Sequence, residues 1–495
     1  MDLKFNQNVL KCLQCPVREY QTQEQTQEIR IPDGKPDIAM VLACWGEPVL
    51  RGKEWRSDQV GVTGGVMAKV LYLPEEAGPP QVLEAWLPFQ MKWSIPSGHQ
   101  DGTMRVIPCL RSADARVLSA RKLMVRTNVG MLMEAMTPAE FTMYQPGDVP
   151  EDVQLLTNRY YLTLPVEAGE KAFGIDEILE MPASEQKIDQ IVRLGLSPQV
   201  LEQKVLADKL IFRGLCIAHL LYLGSDGQLY SRDFDVPFSQ YADLDGEFAP
   251  ESTVQVMPVI TNLEVEQTPE GGVHLKAGLS GQYMVYDRVA ADLVQDAYSL
   301  TRSVDPAVEQ LTVPAVLESA TQQVNAQADP QVDVMRPVDV SFWRDQPYVV
   351  KNGDYAEADM SGTFQMLYYD PEGQLQSALT RWEDTLRFPA AEDSAPSVNL
   401  SVGGKPQYSA GMLHGDLLAE TAVTSGQGLD MVTGLKLGEA SKPDPDRPSL
   451  IVTKVCGQSL WQIAKENATT MEAIRAANGL VDEPSMNSIL LIPVI

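Results

Sequence analysis

The sequence is poor in basic residues, in histidine and in aromatic side chains. Its 495 residues contain 39 Lys and Arg against 67 Asp and Glu, a formal net charge of −28. Affinity for nucleic acid or anionic lipid depends on Lys and Arg that neutralise phosphate. Because no basic patch offsets the acidic excess, the composition argues against both partners. The four histidines are scattered singly, so no HExxH-type metal pair occurs.

The motifs of common catalytic and metal sites are also missing. Cys12 and Cys15 form one CxxC pair, but a structural zinc site needs a second pair of ligands. Neither the GxxxxGK[ST] phosphate loop nor the GxSxG nucleophile motif is present. Asp243-Leu-Asp245-Gly246 is similar to part of a calcium loop, but Tyr241 would occupy its first liganding position. We therefore predict a protein without catalytic residues, cofactor or metal.

Long apolar runs are absent as well. The best candidate, Leu210 to Leu223, is short and interrupted by Arg213 and His219. The first fifteen residues lack the apolar core of a secretory signal. Six cysteines in so long a chain are expected to be free thiols of a reducing compartment. We expect a soluble protein that is made in the cytoplasm and does not insert into a membrane.

Short strand signals recur at a spacing of about 150 residues. Gly64 precedes Tyr72 by eight residues, and Gly214 precedes Tyr222 by eight; a third block, 362–369, fits less well. This period is too long for a solenoid and suits tandem domains. The sequence therefore predicts a mainly β chain of related domains, each a sandwich or a barrel.

Turn and linker signals divide the chain. Asp226-Gly227 and Glu372-Gly373 are typical of hairpin turns, because glycine accepts a positive φ. Residues 439–449 hold three prolines and five charges and predict an extended linker. The predicted divisions are an N-terminal segment 1–25, domains 26–148 and 149–295, a divergent domain 296–438, the linker 439–449 and a small module 450–495.

The last 46 residues predict a β-α-α-β order. A strand from Leu450 is followed by Ser459, an N-cap candidate for a helix with Leu460 and Ile463 on its inner face. Thr469 to Glu472 predicts a capping box for a second helix, and a strand ends at Pro493.

This module resembles a LysM domain. The residues that fall in register with the family pattern are Gly457, Ser459, Leu460, Trp461, Ile463, Ala464, Asn478, Leu480, Leu490, Ile492 and Pro493. The resemblance implies a shallow groove that binds N-acetylglucosamine glycans such as peptidoglycan, or a protein. Carried over by position, the groove residues are Gly457, Gln458, Ser459, Leu460, Trp461, Asn478, Gly479 and Leu480.

The sequence raises a question at two positions of this module, the turn before the first helix and Trp461. Gln458 stands where the LysM family usually has Asp, so the turn before the first helix is predicted to be less well capped. Trp461 lies one position off the inner helical face, and both burial and exposure are compatible with it.

The larger part of the chain resembles the SPOCS domain of clostridial spore-coat proteins. The residues that carry this resemblance are Ile31 to Ile38, the strand that ends at Tyr72, and Asp114 to Leu123. It implies sporulation, a place in the spore coat, and coat morphogenetic proteins as partners, among them the basement-layer coat ATPase. Since the mother-cell cytoplasm surrounds the forespore, such a protein reaches the forespore surface without export.

Three functions follow as hypotheses. The first is a non-catalytic adaptor whose linked domains each bind a different coat component, so that weak sites gain from high effective concentration. The alternative is a peptidoglycan-binding module that anchors the protein to cortex or cell wall. The third is a wall-active enzyme, for which the sequence offers no recognisable catalytic motif.

Overall fold

The computed structural model describes residues 2–99, 101–440 and 448–494. Strands make up about three quarters of this, and two short helices lie near the C-terminal end. Residues 441–447 of the predicted linker fall outside the described residues.

The first strand-rich unit contains two antiparallel sheets. After the short β1 (Asp2–Lys4), its strands are β2 (Asn6–Arg30), β3 (Ile38–Arg56), β4 (Gln59–Pro74), β5 (Gln81–Ser94), β6 (Thr103–Ser119) and β7 (Lys122–Gln145). One sheet has the order β3-β4-β5 and the other β2-β7-β6. Alternating apolar residues from both sheets, such as Val62, Val70 and Val125, are buried in one core. The unit is therefore a sandwich, as period-two alternation on each strand favours.

The next two units repeat this arrangement. The second comprises β8 (Val153–Leu179), β9 (Ile188–Gly224), β10 (Leu229–Phe248), β11 (Thr253–Gln267) and β12 (Val273–Ser299). The third comprises β13 (Val304–Ala328), β14 (Arg336–Arg344), β15 (Tyr348–Asn352), β16 (Tyr355–Tyr369), β17 (Leu375–Pro389), β18 (Ser394–Val402), β19 (Gln407–Ser409) and β20 (Met412–Leu437). In each unit the first strand pairs with the last, as β8 with β12 and β13 with β20. The prediction of tandem strand-rich domains is confirmed.

The glycines that marked the repeat lie where strands approach closely. A Cβ at Gly214 would be 1.9 Å from the carbonyl oxygen of Gln199, and one at Gly64 would be 2.3 Å from that of Val49. No side chain fits at such distances, so the two units share a glycine for the same steric reason.

The predicted hairpin turns are also present. Gly227 and Gly373 have φ values of 77° and 76°, and each donates its amide to a carbonyl three residues earlier. Glycine is the residue that adopts this conformation without a steric penalty.

Two of the predicted domain boundaries fall inside strands. β2 pairs with β7 from Asn6 to Arg30, so residues 6–25 belong to the sheet of the first unit rather than to a separate segment. The boundary at 295 lies within β12, which continues to Ser299. The boundaries at 148 and 438 lie between strands.

Corresponding strands of the three units meet in a common apolar cluster. All three units contribute to it, and among its residues are Leu42 and Leu71 of the first, Val192 and Leu221 of the second, and Val338 and Leu367 of the third. A second shared cluster forms where the first and last strands of each unit extend beyond the sandwich; among its residues are Cys12, Met143, Leu164, Leu293, Val313 and Met431. The three units therefore pack against one another through both apolar clusters.

A buried polar chain also links the units. Arg105 bonds Glu134 through Nε at 2.6 Å and Gln255 of the second unit through Nη1 at 2.7 Å. Gln255 in turn donates to Glu420 of the third unit. Burial alone would raise the pKa of Glu134, but Arg105 and Arg18 hold it below its ordinary value. This paired network ties together three units that are distant in sequence.

The C-terminal module has the predicted order. Its elements are β21 (Leu450–Lys454), α1 (Leu460–Glu466), α2 (Met471–Asn478) and β22 (Ile489–Pro493), with β21 and β22 antiparallel. Ser459 is the N-cap of α1, as expected. The N-cap of α2 is Thr470, whose side chain accepts from the Ala473 amide, and not Thr469. The capping box predicted from Thr469 is therefore wrong by one residue.

Candidate functional site

The turn before α1 forms one wall of the predicted groove. Ser459 Oγ accepts from the Gln462 amide at 3.2 Å, and Gln462 Oε1 accepts from the Ser459 amide at 3.0 Å. The Leu460 amide donates to Glu483 Oε2 at 2.8 Å. These bonds satisfy donors that helix geometry leaves open. The turn is thus well capped although Gln458 replaces the usual Asp, and the prediction of a weaker cap is wrong.

Asn478, at the end of α2, lies on the opposite side of the predicted groove and bonds to strand β22. Its side-chain nitrogen donates to the carbonyls of Ile474 at 2.8 Å and Leu491 at 2.6 Å. Its side-chain oxygen accepts from the Leu491 amide at 2.8 Å. All three bonds are internal, so the amide group of Asn478 serves the fold.

The predicted groove residues differ in what they offer to a ligand. Leu460 is fully buried and Trp461 is 5% exposed. Gly457, Ser459 and Gly479 are exposed, whereas Gln458, Asn478 and Leu480 are half-buried. The Leu460–Glu483 bond brings the turn before α1 and the loop after α2 together. Ligand binding by these residues stays a prediction.

Trp461 lies between the module and the second strand-rich unit. Its ring meets the ring of Tyr298 edge to face at a centroid distance of 4.7 Å. Its indole nitrogen donates to Asp296 Oδ2 at 2.8 Å, and Lys465 Nζ lies 2.8 Å from the same carboxylate. Trp461 is therefore buried by a contact between domains, which decides the alternative that the sequence left open.

Tyr298 completes this contact. Its hydroxyl donates to the Thr469 carbonyl at 2.6 Å, and burial raises its pKa to about 12. Leu156 and Leu300 pack beside it against the core of the module. Burial would raise the pKa of Asp296, but the bonds from Lys465 and Trp461 keep it below its ordinary value. The end of β12 thus provides both an apolar and a charged anchor.

Sequence reasoning did not find Asp296, Tyr298 or Glu483. The unassigned Trp461 was the one signal that pointed to a further contact, because an indole N–H needs a partner when buried. Its partner Asp296 lies 165 residues away, and no local pattern marks it.

The outer face of the two-stranded sheet in the module is exposed and largely apolar, with Lys454 at one end opposite Ile489. Val452 and Leu491 are directly paired across the strands and are 63% and 41% exposed. Leu450 and Ile489 continue this face, at 49% and 69% exposure. We call these four residues the outer face. Contiguous apolar surface of this kind is typical of protein interaction sites.

Within residues 2–99, 101–440 and 448–494, no three His, Cys, Asp or Glu side chains are grouped so that they could hold a metal ion. Neither α1 nor α2 is long or apolar enough to cross a membrane.

Comparison with known families assigns two regions of the chain. The family model described as SipL, SPOCS domain, matches residues 187–268, which span most of β9, β10 and β11. The LysM domain model matches residues 456–493. Both families are non-catalytic binding domains. No curated protein and no solved structure matches the chain. The chain therefore carries a SPOCS domain in its second strand-rich unit followed by a LysM domain, the combination of a sporulation-related protein with a peptidoglycan-binding module.

Proposed function

We propose that this protein is a non-catalytic adaptor of spore-coat assembly that binds a coat morphogenetic protein through its LysM domain. The partner we favour is the basement-layer coat ATPase, and the site of action is the forespore surface, reached from the mother-cell cytoplasm. The strand-rich units serve as a rigid body that holds the LysM domain in one orientation and offers further surfaces to other coat components.

The state of the groove supports a protein partner over a glycan. Trp461, the aromatic residue best suited to stack on a sugar ring, is buried against Tyr298. The Leu460 amide already donates to the Glu483 carboxylate. A neutral sugar acetamide would have to displace this charge-assisted bond, which is stronger than the neutral bond that would replace it.

The outer face is the observation that best supports a protein partner. Val452, Leu491, Leu450 and Ile489 lie side by side on a small domain whose core is formed on the other side of the sheet. An apolar partner surface would remove these side chains from water at roughly 25 cal/mol for each Å² of apolar area. We therefore place the partner's apolar segment on this face.

The experiment compares three LysM variants as baits with purified coat ATPase and with proteins captured from sporulating cells. Val452→Asp adds a charge to the outer face and should abolish binding to the ATPase. Ala476→Asp adds the same charge at an exposed position of α2 and is the matched control. Deletion of 450–495 should abolish recruitment to the forespore surface. Equal binding by Val452→Asp and Ala476→Asp, or normal recruitment of the deletion, would contradict the proposal.

The glycan alternative rests on the LysM match and on the exposed groove residues Gly457, Ser459 and Gly479. Co-sedimentation with purified peptidoglycan distinguishes it from the adaptor. Saturable sedimentation that Val452→Asp leaves intact would assign the LysM domain to glycan. Absence of sedimentation, together with capture of the coat ATPase, would support the adaptor.

A further inference from the structure

Two adjoining cavities lie where the three strand-rich units meet. Their volumes are about 270 and 240 Å³, and they share lining residues from each unit, among them Pro48, Pro108, Leu196, Arg344 and Val402. Together they approach the size of sites that hold small molecules. Their walls combine prolines and aliphatic side chains with polar and charged side chains.

Arg344 departs from the repeat pattern at this place. Ala43 pairs with Leu71 in the first unit as Asp339 pairs with Leu367 in the third. Five residues further along, the same register places Pro48 opposite Val66 and Arg344 opposite Gly362. The second unit has Pro198 at the matching spacing of 150 residues. The third unit thus presents a guanidinium where the other two present proline rings.

Arg344 also lacks a partner of its own. Among residues 2–99, 101–440 and 448–494 its guanidinium has no hydrogen bond and no ion pair, although the residue is half-buried. The neighbouring carboxylate, Asp345, accepts from Tyr20 at 2.5 Å on Oδ1 and from Arg111 at 2.7 Å on Oδ2. Burial lowers the pKa of the Arg344 guanidinium. A charge that is partly withdrawn from water and unpaired is costly, so an anion that paired with it would be stabilised.

The other polar groups of the lining are largely engaged in holding the backbone. Gln199 donates to the Val402 carbonyl at 3.1 Å, and Gln346 donates to the Val398 carbonyl at 3.0 Å. Gln203 accepts from the Val256 amide at 2.8 Å. The other basic residues of the lining are paired with carboxylates: Arg193 with Asp339, His219 with Asp233 and Asp339, and Lys405 with Asp233 and Asp235. Among the described lining residues, Arg344 is therefore the cation that is open to a ligand.

We propose that these cavities bind a small organic monocarboxylate, with its carboxylate on Arg344 and its apolar body against the proline and aliphatic walls. A guanidinium fork matches the two oxygens of a carboxylate. In the 270 Å³ cavity Arg344 is the one cation among the described lining residues, and Glu47 and Glu420 there oppose a second negative charge, which disfavours a dianion such as phosphate. The site lies in the strand-rich body and is independent of the LysM domain.

The test is ligand-observed fluorine NMR on the full-length chain, with 4-fluorobenzoate as the probe and 4-fluorobenzamide as its neutral counterpart. The benzoate should bind saturably, and the benzamide at least tenfold more weakly. Arg344→Met should weaken benzoate binding at least tenfold, whereas Arg344→Lys retains the charge without the fork and should lose less. Arg381→Met removes a charge from an exposed strand of the same unit and should change nothing.

Four outcomes would overturn the proposal. They are no saturable binding of the benzoate, equal binding of the benzamide, benzoate binding unchanged by Arg344→Met, and full competition by inorganic phosphate at equal concentration. Thermal unfolding of each variant identifies any that fails to fold, and Arg344→Lys then provides the comparison. None of these results bears on partner binding by the outer face, so failure here is distinct from failure of the adaptor.

Discussion

The contact between the LysM domain and the second strand-rich unit should depend on Asp296. Asp296→Ala removes the acceptor of the Trp461 indole and the partner of Lys465. A hydrogen bond to a charged group contributes about 1.5–3 kcal/mol, and a partly exposed ion pair about 0–1 kcal/mol. The docked state should therefore lose about 2–3 kcal/mol, which raises the undocked population roughly 30- to 150-fold.

Hydroxyl-radical footprinting read by mass spectrometry measures this directly. Trp461 and Tyr298 cover each other and are each 5% exposed, so undocking should raise the modification of both together. Trp93, which is buried in the first unit, should remain protected and thereby separates undocking from global unfolding. Asp292→Ala is the matched control, because Asp292 lies on the same strand but pairs with Arg159 and not with the LysM domain. If Trp461 stays as protected in Asp296→Ala as in this control, the carboxylate does not hold the domains together and the reasoning fails.

Three further predictions concern stability. Burial would lower the pKa of His219, but Asp339 and Asp233 outweigh it and raise this pKa to about 9, above the unfolded value. The contribution of His219 to the free energy of unfolding is therefore complete below about pH 6.5 and is lost as the pH rises toward 9. Urea unfolding should show that the free energy of unfolding falls by at most about 3 kcal/mol between pH 6 and pH 9, and His219→Gln should lack this decrease. Asn478→Ala should lower LysM stability by about 2–4 kcal/mol, seen as faster amide exchange in β22, because three internal bonds disappear. Gly214→Ala should cost about 1–3 kcal/mol in urea unfolding, since its Cβ would meet the Gln199 carbonyl at 1.9 Å, whereas Gly174→Ala, with its nearest atom at 3.7 Å, should stay within about 0.5 kcal/mol.

Local patterns predicted the elements of the LysM domain well, because its signals are short in range. Ser459 and the apolar positions Leu460 and Ile463 are enough to place α1, and the strand alternation from Leu450 places β21. The start of α2 was displaced by one residue because Thr469 and Thr470 are both good N-caps, and the sequence has no means of choosing between them. The cap at Leu460 was missed because its acceptor, Glu483, lies 23 residues away.

The tandem β architecture followed from a few steric requirements that repeat along the chain. Close strand approach requires glycine at Gly64 and Gly214, and a positive φ favours it at Gly227 and Gly373. The units therefore share these glycines although most of their other residues differ. The predicted boundary between residues 25 and 26 falls inside β2. This polar, glutamine-rich strand has only one buried side chain, Cys12, and so lacks the apolar alternation that marks a core strand.

By itself the sequence determined the strand-rich class, the three repeats, the LysM module and the lack of recognisable catalytic motifs, since each depends on residues close together in the chain. The tertiary structure alone decided that Trp461 is buried against Tyr298, that Asp296 anchors the LysM domain, and that Arg344 faces a cavity between units with no side-chain partner among the described residues. These contacts join residues more than a hundred positions apart. Long-range pairing leaves no periodic trace in the sequence, and it arises only when the folded units bring their surfaces together.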